Sequence, residues 1–201
     1  MIIIGGLSGK MAVGKSHVAA IFNELGAMLL NTDIISKKVQ TYNQELKEKI
    51  INKFGSIYFV NNQINKEFAI PLFFSGTDDS KENLNWITTT VAPYVQQYIT
   101  DYIKTFNEAG VDNYILIESA ILFETGLNKK CDFTIEVRSP NPVGAAYSRD
   151  FTSKEEWQQR MATQLPDSEK SYDYVINNDY TDAVKTQVYQ VHQEILEKYL
   201  K

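Results

Sequence analysis

A glycine-bearing loop with a lysine and a serine constrains this chain more than any other feature. Residues Gly9–Ser16 read Gly-Lys-Met-Ala-Val-Gly-Lys-Ser and satisfy the pattern G-x-x-x-x-G-K-[ST]. The apolar run Met1–Ile4 precedes the loop and predicts a buried strand. Apolar residues recur at helical spacing after it, at Val18, Ala19, Ile21, Phe22 and Leu25. Strand, loop and helix in this order are the context that a phosphate-binding loop requires.

The residue types in the loop suit a bound triphosphate for physical reasons. Backbone N–H groups of the loop and of the helix N-terminus converge on phosphate oxygens, and the helix dipole favours an anion. Lys15 is expected to reach the β- and γ-phosphates, and the Ser16 hydroxyl to help hold Mg²⁺. The alternative is a tight turn with a chance lysine. The residues assigned to nucleotide binding in this segment are Gly9, Lys10, Met11, Ala12, Val13, Gly14, Lys15, Ser16 and His17.

Two interior positions of the loop carry side chains where a phosphate loop favours glycine. These are Lys10 and Ala12. If either position needs a left-handed backbone, the cost is on the order of 1–2 kcal/mol per residue. Lys10 is interpreted as a solvated surface lysine, with an added phosphate contact as the alternative.

Composition indicates a globular enzyme without disulfides. The 201 residues, 43% of them hydrophobic, suit a single domain of residues 1–201 or a core with a small insertion. Cys131 is the single cysteine, so no intrachain disulfide forms. The net charge of −5 argues against broad nucleic-acid binding. No apolar run approaches membrane-spanning length, and a cytoplasmic protein is expected, as a monomer or small homo-oligomer.

The order of apolar and helical segments predicts an α/β fold with a five-stranded parallel sheet. The five apolar runs taken as strands are Ile2–Gly6, Ala27–Leu30, Tyr114–Glu118, Phe133–Val137 and Asp173–Ile176. The stretch of residues 36–103 is interpreted as a helical insertion with a hairpin-like segment at Asn61-Asn62-Gln63. A last helix over Thr181–Leu200 is expected to bury an apolar stripe, formed by Val184, Val188, Val191 and Ile195.

Carboxylates at predicted strand ends are candidates for chemistry. Asp33 follows the second strand, where it can accept a proton from a substrate hydroxyl and orient that hydroxyl toward a γ-phosphate. It is alternatively the N-cap of the following helix, and both roles are compatible. Glu118 ends the third strand and is a candidate for supporting Mg²⁺ through water, as is Glu124 in the next turn. Either of these two glutamates is otherwise a cap or a surface charge.

Arginine is scarce in this chain, with only Arg138, Arg149 and Arg160 against 17 lysines. Arg149 and Arg160 bracket one short segment, which suggests a lid whose arginines neutralise developing charge and exclude water. The alternative is two surface arginines paired with nearby glutamates. His17 and His192 are predicted to be surface residues rather than metal ligands.

The amino-acid sequence resembles the dephospho-coenzyme A kinases over nearly its full length. The matching pieces are Gly6–Ser16, Thr32–Val39, Ile121–Leu127, Arg149-Asp150, Arg160–Gln164, Glu169-Lys170 and Asp173–Asn178. This resemblance implies a P-loop kinase fold, a three-layer sandwich with a helical substrate domain at about 36–103 and a lid at about 140–170. It also implies phosphorylation of the 3′-hydroxyl of dephospho-coenzyme A with ATP and Mg²⁺. By this analogy Asp33 is the base, Lys15 and Ser16 handle the phosphates and Mg²⁺, Arg149 serves the lid and Asn178 lies near the adenine.

The chain departs from the family pattern at several positions. Besides Lys10 and Ala12, these are Ala92 in place of a histidine before Pro93, Asn65-Lys66 in place of Asp-Arg, Ala120 in place of a proline, Lys37 in place of an arginine, and a missing arginine near Ala145. Two other functions therefore stay open. One is a P-loop kinase acting on another hydroxyl-bearing metabolite or nucleoside, and the other is a non-catalytic nucleotide-binding protein.

Overall fold

Five parallel strands form the central sheet of the protein. A computed structural model describes residues 2–108, 113–140, 164, 166 and 169–200. The sheet strands are β1 (Ile3–Ser8), β2 (Met28–Asn31), β5 (Tyr114–Glu118), β6 (Phe133–Arg138) and β7 (Tyr174–Asn177). Their order across the sheet is β2-β5-β1-β6-β7, and every neighbouring pair is parallel. The five predicted strands are confirmed, with ends shifted by two residues at most.

Helices cover both faces of this sheet. They are α1 (Lys15–Glu24), α2 (Thr32–Tyr42), α3 (Gln44–Phe54), α4 (Lys66–Phe74), α5 (Asp78–Glu108) and α6 (Ala183–Tyr199). Strand β5 shows how the layers arise, because successive side chains of a strand point to opposite faces. Ile115 and Ile117 pack in the core formed with α2–α5, whereas Tyr114 and Leu116 pack in the core formed with α1 and α6. The predicted three-layer α/β sandwich is therefore confirmed.

The strand register brings three loops together at one edge of the sheet. Glu118, the last residue of β5, pairs with Leu7 of β1 on one side and with Asn31 of β2 on the other. The segments that follow these strands consequently leave the sheet next to one another. In open parallel sheets, ligands bind in the crevice outside the carboxyl ends of the strands.

The stretch of residues 36–103 adds no strand to the five-stranded sheet. It contains most of α2, then α3, α4 and most of α5, with a two-stranded hairpin of β3 (Phe59–Val60) and β4 (Gln63–Ile64). Asn61 and Asn62 form the hairpin turn with φ of 50° and 58°. Two left-handed residues are what a two-residue hairpin favours, and asparagine tolerates this conformation. The assignment of this stretch as a substrate domain stays a prediction. Among the described helices, none, including the 31-residue α5, combines the length and apolar composition of a membrane span.

The predicted stripe of the last helix is confirmed, but the surface position expected for His192 is wrong. Val184, Val188 and Ile195 are fully buried, and Val191 is 9% exposed. His192 is 5% exposed and its Nδ1 lies 2.8 Å from the hydroxyl of Tyr114. His192 stands four residues after Val188, which places it on the same helix face. A buried hydrogen-bond partner on β5 makes that position tolerable for an imidazole.

This buried imidazole predicts an acid-sensitive contribution to stability. Burial lowers the pKa of His192 below its ordinary value. The contribution is therefore complete above the unfolded pKa of about 6.5 and is lost as the pH falls through the lower folded value. We expect the free energy of unfolding of the wild-type protein to fall between about pH 7 and about pH 5 by more than that of the His192→Gln variant. Glutamine keeps a hydrogen-bonding group at this position but does not titrate. Urea denaturation at both pH values measures this difference, and identical pH dependence in the two proteins would contradict it.

Candidate active site

The loop between β1 and α1 adopts the left-handed turns that a phosphate-binding loop uses. Gly9, Ala12 and Gly14 have φ of 146°, 66° and 82°. Gly14 directly precedes α1, and no described side chain caps that helix end. A Cβ at Gly14 would collide with the side-chain amide of Asn178. Both this close approach and the positive φ therefore require glycine at this position. The uncapped first turn leaves backbone N–H groups available to bind an anion.

Ala12 carries the strain that a non-glycine residue meets in this loop. Its φ of 66° is left-handed, which costs an L-residue about 1–2 kcal/mol. We expect Ala12→Gly to raise the free energy of unfolding by about 0.5–1 kcal/mol, since glycine's extra freedom in the unfolded chain offsets part of the relief. Ala20→Gly, at an exposed position inside α1, is the matched control and should lower it by about 1 kcal/mol. Chemical denaturation measures both changes. Equal destabilisation of Ala12→Gly and Ala20→Gly would contradict the prediction.

Lys15 lies within the loop, with its ammonium held by loop carbonyls. Its Nζ donates to the carbonyl oxygens of Lys10 at 2.9 Å and Gly9 at 3.2 Å. Burial lowers the pKa of this ammonium, while the negative charges of Glu118 and Asp33 act in the opposite direction and Lys170 adds to the lowering. An ammonium has three donors, so one remains for a phosphate oxygen with both carbonyl bonds in place.

A buried carboxylate connects the loop serine to the neighbouring strands. Glu118 is 8% exposed. Its Oε1 accepts the hydroxyl of Ser16 at 2.7 Å, and its Oε2 accepts the side-chain amide of Asn31 at 2.8 Å. Hydroxyl and carboxylate oxygens are the donors that Mg²⁺ prefers, and Mg²⁺ sites typically combine one or two carboxylates with substrate phosphates. The residues present therefore fit a magnesium ion beside the loop.

Asp33 lies in the first turn of α2, immediately after β2. The N-cap of that helix is Asn31, whose Oδ1 accepts the N–H of Ile34 at 3.0 Å. The alternative interpretation of Asp33 as the N-cap is therefore wrong, because the residue two places earlier supplies the cap. Asp33 is exposed and lines a cavity next to the sheet edge. Its carboxylate is placed to meet a ligand in that cavity.

The cavity beside Asp33 has a volume of about 190 Å³ and lies between α2, α5 and the segment after β5. Apolar side chains form much of its wall, and several polar groups are distributed among them. Ala92 of α5 is part of this wall, at a position where the family resemblance leads one to expect histidine. The lining includes Asp33, Ser36, Gln40, Tyr58, Val91, Ala92, Gln96 and Ser119. An apolar pocket with a few convergent polar groups is typical of a small-molecule site.

Two further side chains, to which sequence reasoning gave no role, support this edge of the sheet. Gln164 accepts the N–H of Met11 at 3.2 Å and donates to the carbonyl oxygens of Gly9 and Ala120. The side chain of Lys170 is 3% exposed and pairs with Glu124 at 3.2 Å. Both residues lie in segments that carry the family resemblance, but spacing alone does not reveal which partners they reach.

Four of the remaining predicted site residues lie in the part of the chain that the structure describes. Lys10 and His17 are exposed, and Val13 is 3% exposed in the core. Asn178 is fully buried, where its amide donates to the carbonyl oxygen of Val13 at 2.9 Å. Its assignment near the adenine stays a prediction. Arg149, Arg160, Ala145 and most of the predicted lid at 140–170 lie outside the described residues.

Comparisons with known proteins agree with this architecture. A dephospho-CoA kinase of Pseudoalteromonas translucida is 29% identical over 202 residues, covering 98% of this chain and 92% of that protein. Two solved structures share the fold. One, of a Thermus thermophilus protein, has a TM-score of 0.76 at 20% identity, covering 97% of this chain and 98% of that one. The other, of dephospho-CoA kinase from Campylobacter jejuni, has a TM-score of 0.67 at 22% identity, covering 98% of both chains.

The family model described as dephospho-CoA kinase matches residues 2–183. That range includes the phosphate loop, the strand-end carboxylates and the cavity described above. The chain therefore belongs to the dephospho-CoA kinase family.

Proposed function

We propose that this protein transfers the γ-phosphoryl group of ATP to the 3′-hydroxyl of dephospho-coenzyme A, giving coenzyme A and ADP. Membership of the family supports this activity. The observation that carries the proposal is the position of Asp33. Its carboxylate lines the cavity, and its negative charge opposes the lowering of the Lys15 pKa that burial causes. An acceptor hydroxyl in the cavity and a triphosphate on the loop would meet at this residue.

The reaction requires one proton transfer and one exchange of bonds at phosphorus. Asp33 accepts the proton of the 3′-hydroxyl, and the hydroxyl oxygen bonds to the γ-phosphorus. The bond from the γ-phosphorus to the bridging oxygen breaks, and ADP leaves with those electrons. Lys15 and the backbone N–H groups of the loop stabilise the charge on the phosphoryl oxygens.

Magnesium fits the oxygen donors beside the loop. Ser16 and Glu118 would hold the ion, with Asn31 orienting the carboxylate through the hydrogen bond to its other oxygen. When bound, the ion neutralises charge on the β- and γ-phosphates. Glu118 positions the Ser16 hydroxyl through their 2.7 Å hydrogen bond.

The cavity next to Asp33 is the proposed acceptor site. Ser36, Gln40 and Gln96 provide hydrogen-bonding groups in its wall, and Tyr58 donates to Gln40 at 3.0 Å, which fixes that amide. A lining that mixes apolar side chains with a few hydrogen-bonding groups is typical of a small-molecule site. The lid, with Arg149 acting on the transferring phosphoryl group, is a part of the proposal that rests on the sequence resemblance. The cytoplasmic location and the state of a monomer or small homo-oligomer also stay predictions.

A coupled assay of ADP release with dephospho-coenzyme A, ATP and saturating Mg²⁺ tests the proposal. Turnover that depends on all three components is expected. A panel of other alcohols, including nucleosides and sugars, checks the acceptor. Absence of turnover with dephospho-coenzyme A, or a markedly better alcohol in the panel, would contradict the proposed function.

A further inference from the structure

Gln164 is a half-buried side chain to which the proposed reaction gives no part. Its Oε1 accepts the N–H of Met11 at 3.2 Å. Its Nε2 donates to the carbonyl oxygen of Gly9 at 3.4 Å and to that of Ala120. A glutamine amide has two donor hydrogens and one carbonyl oxygen, so all of its polar groups are engaged with backbone. One side chain thus joins two stretches of backbone that lie far apart in the sequence.

The first of these stretches is the phosphate loop. The carbonyl oxygen of Gly9 also accepts the ammonium of Lys15 at 3.2 Å. Gln164 therefore contacts the loop at the same oxygen as the lysine proposed to bind phosphate. If Lys15 turns toward a phosphate, this carbonyl keeps the donor of Gln164, so the ammonium can move without leaving the oxygen unsatisfied.

The second stretch is a wall of the proposed acceptor cavity. Ala120 stands between Ser119 and Ile121, which both line that cavity. Ser119 is 2% exposed, and its N–H donates to the carbonyl oxygen of Leu7 at 3.0 Å, so the wall begins directly beside β1. Gln164 consequently bridges the loop proposed to hold the phosphoryl donor and the wall proposed to hold the acceptor.

Lys170 makes a second contact with the segment that follows β5. Its side chain is 3% exposed, and its ammonium lies 3.2 Å from the carboxylate of Glu124, in the same turn as Ala120. Breaking a buried ion pair is strongly destabilising, because it leaves one charge buried alone. The described residues Gln164 and Lys170 are thus held against this segment at two places, which gives the Gln164 amide a fixed position from which to reach the loop.

We propose that Gln164 is a positioning residue for phosphoryl transfer, which fixes the phosphate loop relative to the wall of the acceptor cavity. The inference rests on the proposed function and adds to it a residue that acts through the loop and the wall. Reacting atoms must lie about 3–3.5 Å apart, and a displacement of about 1 Å costs about 10²-fold in rate. An amide suits this task because it both donates and accepts, whereas a carboxylate only accepts and an ammonium only donates.

The variant Gln164→Met tests this role. Methionine has a similar length and fills the space, but it lacks the donors and the strong acceptor of the amide. With saturating ATP, Mg²⁺ and dephospho-coenzyme A, we expect the single-turnover rate of phosphoryl transfer to fall about 10- to 100-fold. The affinities for ATP and for dephospho-coenzyme A, each measured alone by calorimetry, should stay within about threefold of wild type, because each site keeps its own contacts.

Gln187→Met is the matched control. Gln187 is a half-buried glutamine of α6 that accepts the N–H of Asn177 at 2.9 Å and donates to the carbonyl oxygen of the same residue at 3.1 Å. Its loss should lower the melting temperature about as much as that of Gln164 and leave the transfer rate unchanged. Gln164→Asn keeps the amide on a shorter side chain that cannot reach the loop and Ala120 together. Its rate should also fall, and it decides the question if the methionine variant does not fold.

The other outcomes separate this inference from the proposed function. Folded Gln164 variants that transfer within about threefold of the wild-type rate would overturn the inference and leave the proposed function standing. A loss of ATP affinity as large as the loss of rate, or an equal loss of rate in Gln187→Met, would also overturn it. Transfer to another alcohol that depends on Gln164 would support the inference and contradict the proposed acceptor. A wild-type chain that phosphorylates no alcohol would overturn both.

Discussion

Replacing Lys15 by methionine is expected to lower kcat by about 10²–10³-fold, the usual effect of removing one preorganised donor from a charged transition state. The ammonium of the half-buried Lys15 already donates to two loop carbonyls and feels the negative charges of Glu118 and Asp33, so it is positioned before any nucleotide binds. A charge fixed in this way acts on the phosphates with little reorganisation. Steady-state kinetics, together with ATP affinity from calorimetry, measures how the loss divides between turnover and binding.

The matched control for this variant is Lys53→Met. Lys53 is an exposed lysine in the last turn of α3, and its loss should leave kcat unchanged. Melting temperatures of both variants distinguish a chemical defect from unfolding. A Lys15→Met protein that is folded and retains kcat within about tenfold of wild type would contradict the role given to this lysine.

The fold could be predicted from the sequence because its signals are local and repeated. Strand β5 reads Tyr-Ile-Leu-Ile-Glu and every one of its residues is buried, as expected for a parallel strand covered on both faces. The two asparagines of the β3–β4 hairpin likewise carry their own turn preference. The surface position predicted for His192 is wrong, because the hydrogen-bond partner that makes its burial tolerable is Tyr114, 78 residues away. No local pattern encodes such a partner.

In the candidate site, too, local motifs could be predicted from the sequence, whereas contacts between distant residues could not. The loop motif directly indicates that Lys15 and Ser16 bind phosphate and Mg²⁺, since both belong to the pattern G-x-x-x-x-G-K-[ST]. The sequence predicts Glu118 as a carboxylate that supports Mg²⁺ through water, with a cap or a surface charge as the alternative, but it does not reveal the bonds of Glu118 to Ser16 and Asn31. Those bonds depend on the register of β1, β2 and β5, which alternating hydrophobicity does not specify. The strain at Ala12, in contrast, follows from one residue type at one loop position.

Asp33 and Glu118, the two carboxylates at this edge of the sheet, have different surroundings and therefore suit different roles. Glu118 is buried and both of its oxygens accept hydrogen bonds from side chains of the site. Asp33 is exposed to the cavity, and the cap of its helix is supplied by Asn31. A carboxylate already committed to two donors is suited to orienting, whereas one that faces a cavity is suited to accepting a proton from a ligand. This contrast predicts which of the two governs turnover.

Asp33→Asn is therefore expected to reduce kcat by about 10²–10⁴-fold, the range for loss of a general base. The asparagine keeps the shape of the side chain and its capacity for hydrogen bonding, but it cannot take the proton of the acceptor hydroxyl. ATP affinity should change little, because the loop residues that hold phosphate are untouched. Single-turnover measurements with dephospho-coenzyme A isolate the chemical step from product release.

The control for Asp33→Asn must account for a lost negative charge near a helix N-terminus, which costs about 0.3–1 kcal/mol of stability. Asp79→Asn provides it, because Asp79 is an exposed carboxylate in the first turn of α5. Both variants should lose similar small amounts of stability, and only Asp33→Asn should lose turnover. If Asp33→Asn instead raised the KM for dephospho-coenzyme A with kcat preserved, the carboxylate would bind the acceptor without accepting its proton. The phosphoryl transfer would then proceed without a side-chain base at this position.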